Sequence, residues 1–508
     1  MRLGALLCGV ELCEYTFGAM DIEVVGISSD SKTIGAGELF VCIEGMRSDG
    51  HDFAAEAVRR GACAVVAESW KGDLCGLAYG DFPVVRVKNA RKALAFIWSN
   101  YYGSPGRELH LIGVTGTNGK TSVTNMLAAI FEKAAIPCAL IGTITHTLTT
   151  PDPEQLYREL RRLADEGKRY VFIEISSHAL SLHKADALRF ECGIFTNLTR
   201  EHLDFHKTME AYFEAKLRLL ELSDAMLINT DDEYGTEFLK RAASCRTYTY
   251  SAKDPEADFY AGQVELCGTD GVSYQFVSAG RLMRIRSPIP GGFTVYNTLA
   301  ATSAACLCGL PSGAVREGIA ELHGVCGRIE RIPLPMPDVA FFIDYAHTPD
   351  ALANVLRSLR GFMKPEQRLK VLFGCGGDRD PGKRPIMGRV ASEYADHLIV
   401  TSDNSRSEDK DAIISQILTG VDRESCSVEV IVDRRRAIEH SVENAECGDV
   451  ILLAGKGHED YEIDGLGKHP FSEREILRAA ARRVCRERRD EEKTKDKTRQ
   501  SNETDFCT

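Results

Sequence analysis

The 508-residue sequence has no apolar run near the roughly 18–20 residues that a membrane-crossing helix needs. Its start, MRLGALLCGVELCEY, carries one arginine and a thin, broken apolar stretch with no clear cleavage site, so no signal peptide is expected. Patterned cysteines are missing too. The 17 cysteines stand singly, and the closest pairs, Cys8/Cys13 and Cys306/Cys308, do not supply the two close pairs of a four-ligand zinc site. Unpatterned thiols in a long chain read as small reduced core residues, and a cytoplasmic protein is expected. There is no basic excess: 62 Lys and Arg against 74 Asp and Glu give −12. That argues against nucleic acid as a partner. It leaves room for a small anionic substrate in a locally positive pocket. No internal repeat is evident.

What is present is enough for packed cores. Apolar residues make up 44% of the chain, and at roughly 150 residues per domain the length suits about three domains. Residues 1–88 alternate short apolar runs with the helical stretch DFAAEAVRRGA and read as a small α/β domain. NARKALAFIWSNYYG has helical periodicity and bridges to a second domain, 89–330. There, apolar runs such as HLIGV, YVFIEIS and CGIFTNL alternate with helices, the pattern of a parallel sheet covered on both faces. Residues 247–288 alternate like antiparallel strands and are expected to form a side sheet. A third α/β run, 331–487, carries VAFFIDYA, LKVLFGCGG, DHLIVTSD and DVILLAG, a Rossmann-like pattern. Residues 488–508 are charged, nearly free of large apolar residues, and expected to be a disordered tail.

HLIGV-TGTNGKTS-VTNMLAAI gives strand, tight loop and helix. Glycines let backbone N–H groups turn toward an anion, and the helix N-terminus adds partial positive charge. Gly116, Thr117, Asn118, Gly119, Lys120, Thr121 and Ser122 are the candidate phosphate cradle. Lys120 would reach the outer phosphates of ATP, and the Thr121 hydroxyl would help hold Mg²⁺. The general spacing wants glycine at 114, where Val114 stands; the competing reading is a glycine-rich turn with a chance lysine.

The variant GTNGKTS resembles the loop of the Mur ligase superfamily. Further blocks follow in family order: EISSHALSLH, IFTNLTREHLDFH, AYFEAKLRLL, GGFTVYNTLAA, GRIE, DYAHTPDAL, GCGGDRDPGKRP and AGKGHEDYE. The resemblance covers about residues 20–485. It implies ATP-dependent amide ligation through an acyl phosphate, joining an amino acid to a UDP-N-acetylmuramoyl-dipeptide in peptidoglycan precursor synthesis. It also implies an enzyme without membrane insertion, expected to be a monomer.

The resemblance assigns roles residue by residue. Glu174, at the end of the strand YVFIEIS, is a candidate Mg²⁺ ligand; taken alone it could equally be a buried salt-bridge partner. His202 in TREHLDFH is a candidate second ligand, though an isolated histidine is more often structural. Lys216 in FEAKLRLL matches the lysine that takes up CO₂ to become a carbamate able to help hold a second Mg²⁺ ion. The bland alternative is a plain lysine paired to a surface acid. Asn297, Arg328, Asp344 and His347 are the further ATP candidates, with Asp344 at the ribose and Arg328 near the phosphates.

For the acceptor, Ser29, Ser31, Met46, Arg47 and Ser48 match the uridine-binding segment, although Arg47 could equally be a solvated surface residue. Thr149, Thr150, Ser176, Leu182 and Lys184 match the muramoyl-peptide pocket. Three departures cluster there: Leu148 for Asn, Leu182 for Gln and Lys184 for Arg. For the incoming amino acid the candidates are Arg379, Asp403, Asn404, Ser405, Arg406, Gly455 and Glu459. Ligases that choose meso-diaminopimelate carry Asp-Asn-Pro-Arg, whose arginine can pair bidentately with the distal carboxylate. Here the motif is DNSR, so the arginine remains and the fixed φ of proline is lost. Glu459 could meet the distal ammonium. Diaminopimelate is therefore expected. A lysine-adding enzyme, or a divergent relative using another acceptor, remains the alternative.

Overall fold

The computed structural model describes residues 1–487 apart from 17–18, 46–47, 72–73, 75–81, 243–244 and 326. Met46, Arg47 and the tail 488–508 thus lie outside the described residues. The architecture is three-domain α/β, built on three main sheets. By contact the chain divides into two compact units. The first holds Met1–Gly262 with Phe276–Met283 and Tyr296–Gly318; the second holds Gln263–Gln275, Arg284–Val295 and the chain from Ile319 onward.

In the first unit, the N-terminal sheet comprises β1 (Leu12–Tyr15), β2 (Gly26–Ser28), β3 (Glu38–Val41), β4 (Ala64–Ala67) and β5 (Val84–Val87), in the order β1-β5-β4-β3-β2. Only β1 runs antiparallel to its neighbour. A linker helix, Ala90–Tyr101, follows. Asn89 caps it by accepting the Lys92 N–H at 2.8 Å.

The central sheet holds β6 (His110–Thr115), β7 (Cys138–Ile141), β8 (Tyr170–Glu174), β9 (Phe190–Phe195), β10 (Ser223–Asn229) and β11 (Arg246–Ser251), all parallel, in the order β11-β10-β9-β6-β8-β7. Its middle strands are buried along nearly their whole length, which is why they read as continuous apolar runs. The order reverses beside β6, and the loop after β6 opens into the crevice this creates.

The side sheet expected over 247–288 is not separate. β11 pairs in parallel with β10, from Ala225/Arg246 to Asn229/Tyr250, and β12 (Phe259–Leu266), β13 (Val272–Ser278) and β14 (Arg281–Ser287) continue the same sheet at that edge. β11, paired on both sides, is only partly covered on its faces: Thr247, Tyr248 and Thr249 are partly exposed, and Tyr250 and Ser251 are buried, which gives TYTYSA its mixed polar and apolar character.

The second unit carries β15 (Glu330–Ile332), β16 (Ala340–Asp344), β17 (Arg368–Phe373), β18 (His397–Val400), β19 (Ser427–Val430) and β20 (Asp449–Ala454), in the order β15-β16-β20-β17-β18-β19. All but β15 are parallel. Apolar clusters lie on both faces of this sheet, centred on Phe342, Val371 and Leu452 on one side and Phe341, Leu372 and Leu453 on the other. Asp344, Gly374–Gly377, Asp403 and Gly455 therefore emerge together at the carboxyl ends of β16, β17, β18 and β20.

Candidate active site

The loop after β6 is shaped for backbone approach to an anion. Gly116 and Gly119 have φ of +152° and +89°, where side chains are strained. A Cβ on Gly116 would lie 1.9 Å from Thr196 Oγ1, and one on Gly119 would lie 2.5 Å from Asn297 Oδ1. Asn297 is thus brought over the loop. Asn197 Oδ1 accepts the Asn118 N–H at 2.9 Å, and the Thr196 hydroxyl donates to the Asn118 carbonyl at 2.6 Å. The helix Lys120–Lys133 starts directly after Gly119. Lys120 Nζ donates to the carbonyls of Gly116 and Thr117 at 2.8 and 2.9 Å, so its cation lies across the loop. Ser122 follows in the first turn of that helix.

Glu174, fully buried at the end of β8, faces this helix start. Its Oε2 accepts the Thr121 hydroxyl at 2.9 Å and lies 3.1 Å from the Thr143 hydroxyl; Oε1 accepts the Thr143 N–H at 3.0 Å. Gly142 gives the carboxylate its room, since a Cβ there would sit 2.1 Å from Oε1. Thr143 was not legible from the sequence. A short run, GTITHTL, with several hydroxyls gave no sign of which one meets Glu174.

Lys216 is 1% exposed on the helix Met209–Glu221, which Thr208 caps. Its Nζ stands 4.7 Å from the centroid of the Tyr212 ring. Burial first, then the charge of Lys120, pushes its pKa well below the ordinary lysine value, while Glu201 opposes the shift. The reading of Lys216 as a lysine paired to a surface acid finds no ion pair to support it among the described residues. Tyr212 joins the pieces. Its hydroxyl lies 3.1 Å from the Thr117 Oγ1 of the loop, and its ring centroid is 5.9 Å from that of His202. Burial pushes the Tyr212 hydroxyl up to about 12, so it stays neutral. His202 is 42% exposed, with φ +57°, and also meets His178 edge-on at 5.1 Å.

In the second unit the candidate residues gather at the strand ends. Asn404 is their hub. Its amide donates to Glu459 Oε2 at 2.8 Å, and its Oδ1 accepts from Lys456 Nζ and the Ile463 N–H, both at 2.9 Å. Lys456 is fully buried, 3.5 Å from Asp403 and 3.8 Å from Glu459. It was overlooked in AGKGHEDYE, where a lysine between two glycines at a strand end was its only signal. Gly455, with φ +115°, lies against Asp403; a Cβ there would come within 2.8 Å of Oδ2. Arg406 has φ +50°, and its Nη1 donates to the Gly377 carbonyl at 2.7 Å. Ser405 is buried, and Arg379 is exposed on the loop after β17.

These two constellations stand on a chain that matches the Mur ligase family, catalytic domain, over 23–102, the Mur ligase middle domain over 114–305 and the Mur ligase, glutamate ligase domain over 327–457. It is 39% identical over 488 residues to a Clostridioides difficile (strain 630) protein named UDP-N-acetylmuramoyl-L-alanyl-D-glutamate--2,6-diaminopimelate ligase, covering 94% of this chain and 98% of that one. The chain belongs to the Mur ligase family. It is an ATP-dependent ligase, as family members are. A relative of the same name from Caldanaerobacter subterraneus is 41% identical over 489 residues, with 94% and 98% covered. A solved structure of a ligase so named is 32% identical, covers 90% of this chain and 94% of its own, and has a TM-score of 0.66. No helix among the described residues is long and apolar enough to cross a membrane.

The remaining Mur ligase candidates fall in two places. Asp344, buried at the end of β16, accepts the Ile329 N–H at 2.7 Å and the Ala346 N–H at 2.8 Å, tying the turn at Arg328 to the strand end; burial raises its pKa. Arg328 and His347 are both exposed beside it, and His347 Nδ1 donates to the Tyr345 carbonyl at 2.8 Å. In the first unit, a cavity of about 580 Å³ is lined by Ser29, Leu182 and Lys184, and also by Arg91, Trp98 and Asp152. Lys184 Nζ pairs with Asp152 Oδ1 at 2.8 Å. Thr150 donates to the Glu174 carbonyl at 2.7 Å and accepts the Ser176 N–H at 3.0 Å, and the Thr149 and Thr143 hydroxyls are 3.1 Å apart. This thread of hydroxyls runs from the segment before the helix Pro153–Asp165 to Glu174. Ser31 is buried and Ser48 exposed, and neither is among the residues lining this cavity.

Proposed function

We propose that this enzyme adds meso-diaminopimelate to UDP-N-acetylmuramoyl-L-alanyl-D-glutamate, through an acyl phosphate, in peptidoglycan precursor synthesis. The observation that carries the ATP step is the Glu174 carboxylate bonded to Thr121 at the start of the phosphate-loop helix. The acceptor and amino acid rest on the relatives' names and on the residues matched in the 580 Å³ cavity and at Arg406.

In this reading the γ-carboxylate of the acceptor attacks the γ-phosphorus of ATP and ADP leaves. The amine of diaminopimelate then attacks the acyl carbon, and phosphate leaves with the electron pair. Several anionic groups converge, so fixed cations and N–H donors must be in place beforehand. The backbone of Gly116–Gly119 and Lys120 hold the β- and γ-phosphates, with Asn297 over the loop. Arg328, Asp344 and His347, gathered at the end of β16, are the further nucleotide candidates. The three-domain division 1–88, 89–330 and 331–487 follows these roles: acceptor, ATP and amino acid. The oxygen-only donors Thr121 and Glu174 fit Mg²⁺, which takes one or two carboxylates plus substrate phosphates. When bound, it would neutralise charge on the transferring phosphoryl group. His202 and a carbamate on Lys216 would supply donors for a second Mg²⁺ ion. The cytoplasm, where the nucleotide substrates are, is its proposed location.

Arg406 separates diaminopimelate from lysine. Its guanidinium is positioned by the Gly377 carbonyl and can pair with a distal carboxylate that lysine lacks. A charge-assisted hydrogen bond contributes about 1.5–3 kcal/mol, so Arg406→Ala is expected to lower kcat/KM for diaminopimelate by about 10–100-fold. Lysine, a poor substrate, should barely respond. Higher kcat/KM for L-lysine in the unaltered enzyme, or unchanged use of diaminopimelate by Arg406→Ala, would overturn the assignment.

A further inference from the structure

We infer that the cluster of His183, Asp186, Arg218 and Asn89 is a positioning device that holds the wall of the acceptor cavity in register with the helix bearing Lys216. The inference rests on the reading of that cavity as the acceptor site.

His183 stands between Leu182 and Lys184, both of which line the cavity, and it has φ +55°, a strained conformation for a residue with a Cβ. Its ring is held on two sides. Nδ1 lies 2.7 Å from Asp186 Oδ2, and Nε2 lies 3.2 Å from the Asn89 amide nitrogen. Arg218 donates to the same Asp186 oxygen at 2.8 Å, with its Nη2 2.9 Å from Nδ1. The Asn89 Oδ1 caps the linker helix by accepting the Lys92 N–H, which turns the Asn89 amide nitrogen toward the His183 ring.

Three elements meet here. Asn89 begins the linker helix, whose Arg91, Leu94 and Trp98 line the cavity. His183 fixes the segment that carries Leu182 and Lys184. Arg218 lies two residues from Lys216 on the helix Met209–Glu221. Asp186 is only 4% exposed, and its Oδ1 is buried without a hydrogen-bond partner. A buried carboxylate held on one oxygen depends heavily on the guanidinium and imidazole that face it. Among the described residues the cluster makes no hydrogen bond to the phosphate loop, so its effect should fall on the acceptor.

The test uses the full chain in steady state, with UDP-N-acetylmuramoyl-dipeptide, ATP and diaminopimelate. His183→Gly removes the ring and suits the positive φ. Asn89→Ser keeps a good helix cap but loses the reach to His183. Each is expected to raise KM for the nucleotide-peptide by roughly tenfold, and to leave KM for ATP within about twofold. His183→Asn, which tolerates the left-handed conformation and keeps a donor and an acceptor, should retain most of the affinity. A cavity of about 270 Å³, lined by His183, Asn89, Lys92 and Phe96 among others, opens beside the ring, so added imidazole should restore His183→Gly in part. Lys184→Ala is the control for the cavity itself. If it raises KM for the nucleotide-peptide while His183→Gly and Asn89→Ser do not, the positioning role is overturned and the cavity reading stands. Equal shifts in both KM values without imidazole recovery also overturn the role. A silent Lys184→Ala overturns the cavity reading and this inference with it.

Discussion

Lys216→Ala is expected to lower kcat by about 10²–10³-fold and to recover part of it in acetate or propionate. A cationic lysine is poorly placed where this one lies. It is 1% exposed, feels the charge of Lys120, and stands 4.7 Å from the centroid of the Tyr212 ring. Burial lowers its pKa, so the neutral amine is present at lower pH than for an exposed lysine. A neutral amine can take up CO₂, and the resulting anion would answer the positive charge of Lys120. A short carboxylic acid placed in the space left by alanine supplies a similar anion. The sign of the pH effect follows from the same shift. The unfolded chain binds more protons at this position, so the stability of unmodified enzyme rises with pH between the folded and unfolded pKa values. Full activity of Lys216→Ala without added acid would remove the carbamate from the account.

Glu174→Gln should cost about 10³-fold in kcat and shift the Mg²⁺ needed for half-maximal rate upward, with a smaller change in KM for ATP. The carboxylate oxygens meet the Thr121 hydroxyl, the Thr143 hydroxyl and the Thr143 N–H. An amide keeps one acceptor oxygen and turns the other position into a donor, which faces two hydroxyls that must then reorient. It also removes the negative charge from a fully buried position next to the phosphate loop. Because glutamine is neutral and similar in volume, the fold should survive, and Tm checks that. An unchanged Mg²⁺ dependence would separate Glu174 from the metal.

How much of this was legible follows from how local each signal is. The phosphate loop could be read directly, because strand, glycine turn and helix are adjacent in the chain and Lys120 and Thr121 are fixed by that adjacency. The gathering of Asp344, Gly374–Gly377, Asp403 and Gly455 is nearly as legible, since each directly follows an apolar strand run and parallel strands end on one side. Partners that depend on tertiary placement were not. Thr143 reaches Glu174 across 31 residues, and Lys456 is buried in a cage of Asp403, Asn404 and Glu459 that no spacing announces. Nor does the run FEAKLRLL show Lys216 buried, because a lysine on an amphipathic helix ordinarily points to water. The misjudged side sheet has a similar origin. Alternation in TYTYSA reports partial covering, and a half-covered parallel strand gives it as readily as an antiparallel ribbon does.

Transfer of heavy oxygen tests the central claim most directly. With label in the γ-carboxylate of UDP-N-acetylmuramoyl-L-alanyl-D-glutamate and with ATP, Mg²⁺ and diaminopimelate present, the account predicts one labelled oxygen in each phosphate released, and release that requires both the acceptor and the amino acid. Unlabelled phosphate, or phosphate released at the same rate without the acceptor, would contradict it.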